Sequence, residues 1–358
     1  MPVCKKIFLR EGMIMDKLLL DIENLLEENT QRKCLDFFGD VPCPMKPAFK
    51  ESYERMTKDH YRRTGESFFS YIPTSCSEVP QRLERLIDLR HATGVDELPD
   101  LCLTYGFEDM ANPHFIEKFI KTGCFEPVFP NKDRLFITGE EFDDPYGAAN
   151  VLSLYTEVIM VDKTKLGDLP VPRKWDDLLN PVYAGSIGLP GVHGYTDGTL
   201  MIYLYKKYGE KALEKLEKNI KVALPAVYTV QKAGTQNALT APISVVSWMF
   251  ANAHIKTDKV ELIWPEDGAL TEPIVLLAKK GRSSKLDTLL DFVAGEPAAS
   301  LYAGNYLPAT HPKAQNKLPV NAKFQWVGWD YVYNNDLTKL FERLSDRFDR
   351  FVVDPGKA

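Results

Sequence analysis

Apolar and polar positions alternate with two different periods along this chain, and each change of period marks an element. Leu18–Leu20 followed by Asp21, Glu23, Glu27 and Glu28 predicts a charged helix over residues 16–33. A short apolar run, Cys34–Phe38, then reads as a strand. It gives way to Val41-Pro42-Cys43-Pro44-Met45-Lys46-Pro47, where prolines exclude helix and stiffen the backbone. Phe49, Tyr53 and Met56 recur at helical spacing, so the order is strand, stiff loop, helix. The theme repeats. Leu83, Leu86 and Ile87 give Arg82–Arg90 an apolar helical face, Leu98–Thr104 reads as a buried strand ending in Tyr105-Gly106-Phe107, and Phe115–Ile120 opens another helix closed by Gly123.

The run Asn150–Asp162 (NVLSLYTEVIMVD) is β-branched, aromatic and long enough to pass between two lobes. Beyond it come a short strand at Ser186–Leu189, the loop Gly191–Thr199, and helices at Leu200–Tyr208 and Lys211–Asn219. Ala241–Ala253 predicts a buried strand-to-helix unit. Val260–Trp264 and Pro273–Ala278 form a strand pair around the turn Pro265–Gly268, readable as the return connection. Leu286, Leu289, Leu290 and Val293 mark a further amphipathic helix, and Leu337–Phe351 a last one. Strands alternating with helices predict a doubly wound α/β architecture, whose ligands sit at the loops following the strands.

Length makes this two lobes and not one, since 358 residues exceed an ordinary single core. The formal charge of −6 argues against a nucleic-acid partner. No stretch reaches the roughly 18–20 uninterrupted apolar residues of a membrane span. Lys5, Lys6 and Arg10 are not followed by the apolar segment of an export signal, so a cytoplasmic address stays open. The six cysteines (Cys4, Cys34, Cys43, Cys76, Cys102, Cys124) lack paired spacing and read as reduced thiols. The six histidines (His60, His91, His114, His193, His254, His311) are isolated, without the spacing of a zinc site. Serine-nucleophile, dinucleotide and Walker-type signatures are also missing. Composition and motifs therefore give no support to an enzyme and imply no cofactor.

Four segments carry a resemblance. Trp175-Asp176-Asp177-Leu178-Leu179-Asn180-Pro181-Val182-Tyr183-Ala184-Gly185-Ser186-Ile187 follows a W-x-DLL-x-P-x-Y-x-G-x-I pattern. Gly191–Gly198 supplies a small-residue loop opening a helix, Pro265–Gly268 a P-x-DG turn, and Leu286–Pro297 with Leu301 a C-terminal helix of the expected pattern. In this order they resemble the type II periplasmic-binding-protein superfamily, in the branch of ABC-transporter solute-binding proteins that includes ferric-ion binders. The resemblance implies two α/β lobes joined by crossing hinge strands, with a ligand held between them by hinge closure. It also implies an ABC permease as partner, membrane contact only through that permease, a monomer, and an extracytoplasmic address. Lobe 1 would comprise residues 34–150 and 269–358, lobe 2 residues 151–268, and 1–33 a helical extension. The adjacent tyrosines of the iron binders are replaced here by Ser244-Val245-Val246-Ser247-Trp248-Met249-Phe250, which offers few hard oxygen ligands for Fe³⁺.

Candidate ligand contacts follow the strand ends. Gly191, His193, Gly194, Tyr195, Thr196 and Asp197 precede a helix, where exposed amides and the positive helix end suit phosphate or carboxylate. Simple helix capping by Asp197 or Thr199 is the alternative. Pro42, Cys43 and Lys46 form a rigid loop or a plain turn. Tyr105, Gly106 and Phe107 either stack on a ligand or pack under a helix. Tyr146, within the acidic turn Asp143–Gly147, and Trp248 complete the set. The expected ligand is small and polar or anionic. A cytosolic ligand sensor on the same fold, or a binder of ferric ion or a metal chelate, are the alternatives.

Overall fold

The computed structural model describes residues 34–73, 89, 91–106, 110–128, 142–255 and 257–356. The helix expected over 16–33, nearly all of that over 82–90, and Cys4, Cys76 and Phe107 lie outside the described residues.

β1 (Phe37–Gly39) is wholly buried and pairs in parallel with β2 (Ser70–Tyr71) on one side and β3 (Leu101–Tyr105) on the other. The proline-rich loop after β1 makes one 3-10 turn, Cys43–Met45, and runs straight into α1 (Lys46–Thr64). Pro47 falls in the first turn of α1, where a missing N–H costs nothing. Phe49 and Tyr53 of α1 meet Phe292 edge-on, which sets the helix against the sheet. The helix expected from Phe115 starts instead at Pro113 and becomes π-helical over Ile116–Ile120.

β4 (Ala149–Asp162) is the long crossing strand expected from sequence, about 46 Å at ~3.3 Å per residue. After it come the expected second-half elements. β5 (Ile187–Val192) forms a hairpin with β6 (Tyr195–Thr196), followed by α2 (Thr199–Tyr208) and α3 (Glu210–Asn219). β7 (Ile220–Leu224), α4 (Ala226–Lys232), β8 (Ile243–Ser247) and α5 (Trp248–His254) complete that part. β9 (Val260–Ile263) and β10 (Ala269–Ala278) run back antiparallel to β4 on either side of the Trp264–Gly268 turn. α6 (Asp287–Ala294) and α7 (Glu296–Gly304) pack under β10 with α1. β11 (Phe324–Gln325), α8 (Trp329–Asn334) and α9 (Leu337–Asp349) end the chain.

The strand order is β2-β1-β3-β10-β4-β8-β5, with β7 on β5, β9 on β4 and β11 on β10. Parallel strands thus gather at both ends, β1 to β3 and β5, β7, β8, and the antiparallel pair β4–β10 joins them. Two resemblance motifs meet at this junction. Trp175, fully buried, donates its indole N–H to the Gly268 carbonyl at 2.7 Å, tying the W-x-DLL segment to the P-x-DG turn at the start of β10.

One expectation about the tail needs correction. Residues 269–358 were assigned together to the first lobe, yet α9 packs on the β5–α3 region. Arg347 Nε and Nη2 donate to Glu217 at 2.7 and 3.0 Å, and Val353 N donates to the Ala223 carbonyl at 3.0 Å. The apolar face of α9 needs a partner, and α2 with the hairpin supplies it through Phe341 and Leu344. Among the described residues no helix is long and apolar enough to cross a membrane.

Candidate functional site

Sheet register places a line of polar side chains where the two long strands cross. Tyr105 of β3 lies opposite Ile274 of β10, Glu272 opposite Tyr155 of β4, and Glu157 opposite Ser247 of β8. Side chains alternate across a sheet with period two, so Ile274 and Glu272 share a face, as do Tyr155 and Glu157. Tyr105, Glu272, Tyr155, Glu157 and Ser247 therefore all project from one face. The Tyr105 and Tyr155 rings stack with centroids 6.1 Å apart. A Cβ on Gly106 would lie 3.7 Å from Glu272 Oε2, which fixes the Tyr105-Gly106 corner beside that carboxylate.

The start of α2 comes over this face from the other group of strands. Thr199 Oγ1 donates to Glu272 Oε1 at 2.5 Å and lies 3.0 Å from Asp197 Oδ1, which also accepts from the Thr199 amide at 3.1 Å. Asp197 thereby joins Glu157 and Glu272, and three carboxylates share one poorly solvated region. Glu157 is 1% exposed, and neither of its carboxylate oxygens has a hydrogen-bond donor. The Ser247 hydroxyl, 2% exposed, lies beside the Tyr155 phenol. Burial raises Glu157 well above the ordinary carboxylate range, and the charges of Asp197 and Glu272 push it further in the same direction. Asp197 is also raised by burial, against the lowering effect of the Thr199 amide and hydroxyl. Burial, with Asp197 nearby, holds the Tyr155 phenol well above its usual value. A proton on Glu157 relieves the repulsion, because a protonated Glu157 donates to Asp197 where two carboxylates cannot.

Among the described residues no three His, Cys, Asp or Glu side chains are placed to hold a metal ion. Thr199 and Tyr203 lie one turn apart on the same face of α2. The helix therefore borders the carboxylates with its first turn and, with its next, a cavity of about 600 Å³ lined by Tyr203, Lys206, Lys207, Asp143, Pro145 and the 325–330 segment.

The residues proposed from sequence separate into groups. Tyr105, Gly106 and Asp197 reach the polar face, and Trp248 follows Ser247 directly, half-buried and edge-on to Trp264 and Tyr306. Pro42, Cys43 and Lys46 sit beyond the end of β1. There Lys46 is 5% exposed and paired with Asp40 at 3.0 Å, so its charge is already met. Tyr146 is an exposed ring set edge-on against Tyr333.

The glycine-flanked loop behaves differently from the expected anion cradle. Gly191, His193, Gly194, Tyr195 and Thr196 belong to the β5–β6 hairpin, and α9 takes up its amides. Gly194 N donates to Asp349 Oδ1 at 2.8 Å and Thr196 N to Ser345 Oγ at 3.0 Å. Asp197 N donates to the Pro190 carbonyl at 3.1 Å. His193 Nδ1 lies 3.5 Å from Asp349 Oδ2, and Tyr195 packs on Phe341. Gly194 is needed because its φ of +80° disfavours side chains, and Gly191 because a Cβ would meet that of Ala223 at 3.1 Å. Asp197, one residue before the Gly198 N-cap, accepts from the Thr199 amide at 3.1 Å.

Sequence reasoning passed over Tyr155, Glu157, Ser247 and Glu272, and met Thr199 only as a helix cap. A signal was present for two of them. Glu157 and Glu272 are carboxylates inside largely apolar strands, where an acid is costly to bury.

A family model for bacterial extracellular solute-binding proteins matches residues 96–335, well over half of the chain. The chain belongs to that family. It is a solute-binding protein of the bacterial extracellular kind and not an enzyme. Solved structures share the fold at low identity. Apo ferric ion-binding protein A of Pasteurella haemolytica superposes with a TM-score of 0.60 at 16% identity, covering 89% of this chain and 98% of its own. An ABC transporter protein of Clostridium perfringens gives 0.58 at 15% identity, covering 88% and 99%. The periplasmic binding protein AfuA of Actinobacillus pleuropneumoniae, with fructose-6-phosphate bound, gives 0.55 at 13%, covering 89% and 98%. No curated protein shows significant similarity to the chain. The solute-binding protein thus has the type II architecture expected from its four motifs.

Proposed function

We propose that this solute-binding protein captures a small polar solute on the face formed by Tyr105, Tyr155, Glu157, Ser247 and Glu272, under the start of α2, and hands it to a membrane permease outside the cytoplasm. The observation that carries the reading is the sheet register at the β4–β10 crossing, which collects polar groups from both sets of parallel strands on one buried face. Lobes built on β1–β3 and on β5, β7, β8 would close by bending at β4 and β10, and a solute bridging them favours closure through contacts absent in the open form. Thr199–Glu272 is such a bridge within the protein itself. The hairpin amides are bonded to α9 and Asp197 occupies the α2 start, which weighs against an anion there.

The test combines small-angle scattering with thermal unfolding across sugars, sugar phosphates, amino acids, carboxylates and amines. A solute of the correct class should shrink the radius of gyration and, at one hundred times its Kd, add about 2.7 kcal/mol of stability. Tyr155→Ala should remove both effects while leaving the circular dichroism spectrum unchanged. Protection that survives Tyr155→Ala but disappears with Gly194→Trp would transfer the site to the hairpin.

A further inference from the structure

We propose that the captured solute is an organic cation, whose positive end replaces a proton held among Glu157, Asp197 and Glu272. This rests on the cleft reading above and names the class of solute for it. The charged groups facing Glu157 from the described elements around it are Asp197 at the start of α2 and Glu272 on β10, both acidic, with the Tyr155 phenol on its own strand. β8 presents Ser247, whose hydroxyl lies beside the Tyr155 phenol and has a lone pair to accept from an N–H donor. Both oxygens of Glu157 lack a donor although the side chain is 1% exposed. A buried acceptor left without a donor is destabilising, so these atoms mark where a ligand's donors fit. The stacked Tyr105 and Tyr155 rings border the same spot and offer π faces to a cation. The acids do not converge as metal ligands do, which favours a larger organic ion over a bare metal.

Charge balances in the exchange. In the empty cleft one proton sits on the acid cluster, shared from Glu157 to Asp197. An ammonium or guanidinium ion enters, its N–H groups donate to the freed carboxylate oxygens, and the proton leaves to solvent. The net charge of the cleft is the same before and after. Affinity for the cation then rises with pH while Glu157 holds its proton, by up to about tenfold per pH unit for one proton released.

Calorimetry on the full chain decides the matter, with n-butylamine, 1,4-diaminobutane and agmatine as cationic probes, the first carrying the single charge that balances one proton, and citrate and glucose as anionic and neutral ones. Each is titrated in phosphate and in HEPES, whose different ionisation heats report protons released. The expected result is binding of at least one cation with up to one proton released per ligand. Glu157→Gln should lose the proton release and weaken the cation at least tenfold, while Glu157→Asp keeps part of both. Cation binding without proton release, or unchanged in Glu157→Gln, overturns the proposal, as does binding by no cation. If citrate or glucose binds instead and is lost in Tyr155→Ala, the cleft reading stands and the cation proposal falls. If bound solutes are indifferent to Tyr155→Ala, the cleft reading falls with it.

Discussion

Replacing Glu157 by Gln keeps the side chain's size and removes its ability to ionise, so it isolates what the buried acid contributes to the stability of the empty protein. In the folded chain burial holds the Glu157 proton well above the ordinary glutamate value, with Asp197 and Glu272 adding to the effect. The unfolded chain releases that proton near the ordinary value, about 4.3. Below that pH both states are protonated and the two proteins should be similarly stable. Above it only the unfolded wild type has lost its proton, so wild-type stability falls relative to Glu157→Gln as pH rises. The slope for one proton is about 1.4 kcal/mol per pH unit, and it ends where the folded carboxyl finally ionises. No discount for solvent screening is needed at 1% exposure. Across two pH units inside that window the Gln variant should therefore gain about 2.7 kcal/mol on wild type. Urea denaturation at pH 5, 6, 7 and 8 measures it. Parallel stability profiles would show that Glu157 ionises as if exposed, and a wild type that gains on the variant with pH would reverse the sign of the argument.

Other outcomes follow from single contacts. Trp175→Phe removes the 2.7 Å bond to the Gly268 carbonyl inside the core and should cost about 1–3 kcal/mol in urea unfolding; a cost below about 0.5 kcal/mol would mean that water or a shifted turn takes over the carbonyl. Asp349→Ala frees the Gly194 amide, so hydrogen exchange over the hairpin should quicken while solute affinity stays within about twofold. A large loss of affinity would return the hairpin to the binding site. Arg347→Met leaves Glu217 with Arg350 alone, at 2.7 Å, and removes the hydrogen bonds from Arg347 that chiefly hold its carboxyl below the usual value. That stabilisation is present above the unfolded glutamate value and lost as pH falls through the lowered one. The variant should thus be about 1 kcal/mol less stable at pH 7 and converge with wild type in acid, as paired urea curves would show.

The parts of this fold that were legible are those governed by neighbours in sequence. Phe49, Tyr53 and Met56 announced α1 because helical spacing is local, and the run 150–162 announced β4 because few other segments tolerate so many β-branched residues. The loop at Gly191–Thr199 differs from its sequence reading for the complementary reason. Two glycines before a helix look like an amide cradle until Asp349 and Ser345, far along the chain, arrive on α9 to take up the amides. Tail assignment failed in the same way, since the chain order of α9 does not reveal that its apolar face covers α2.

What the sequence determined by itself was the alternating α/β pattern, the long crossing strand and the ordered motifs of a solute-binding protein. These follow from periodicity and from residue types whose preferences act over a few positions. Tertiary structure decided which side chains meet. Glu157 and Glu272 sit in different strands, and only the antiparallel register of β4 and β10 puts them on one face; only the closing of α2 over that face adds Asp197 and Thr199. Register is set by the packing of whole strands against the core, so a side chain's partners, and with them its proton, are properties of the assembled sheet.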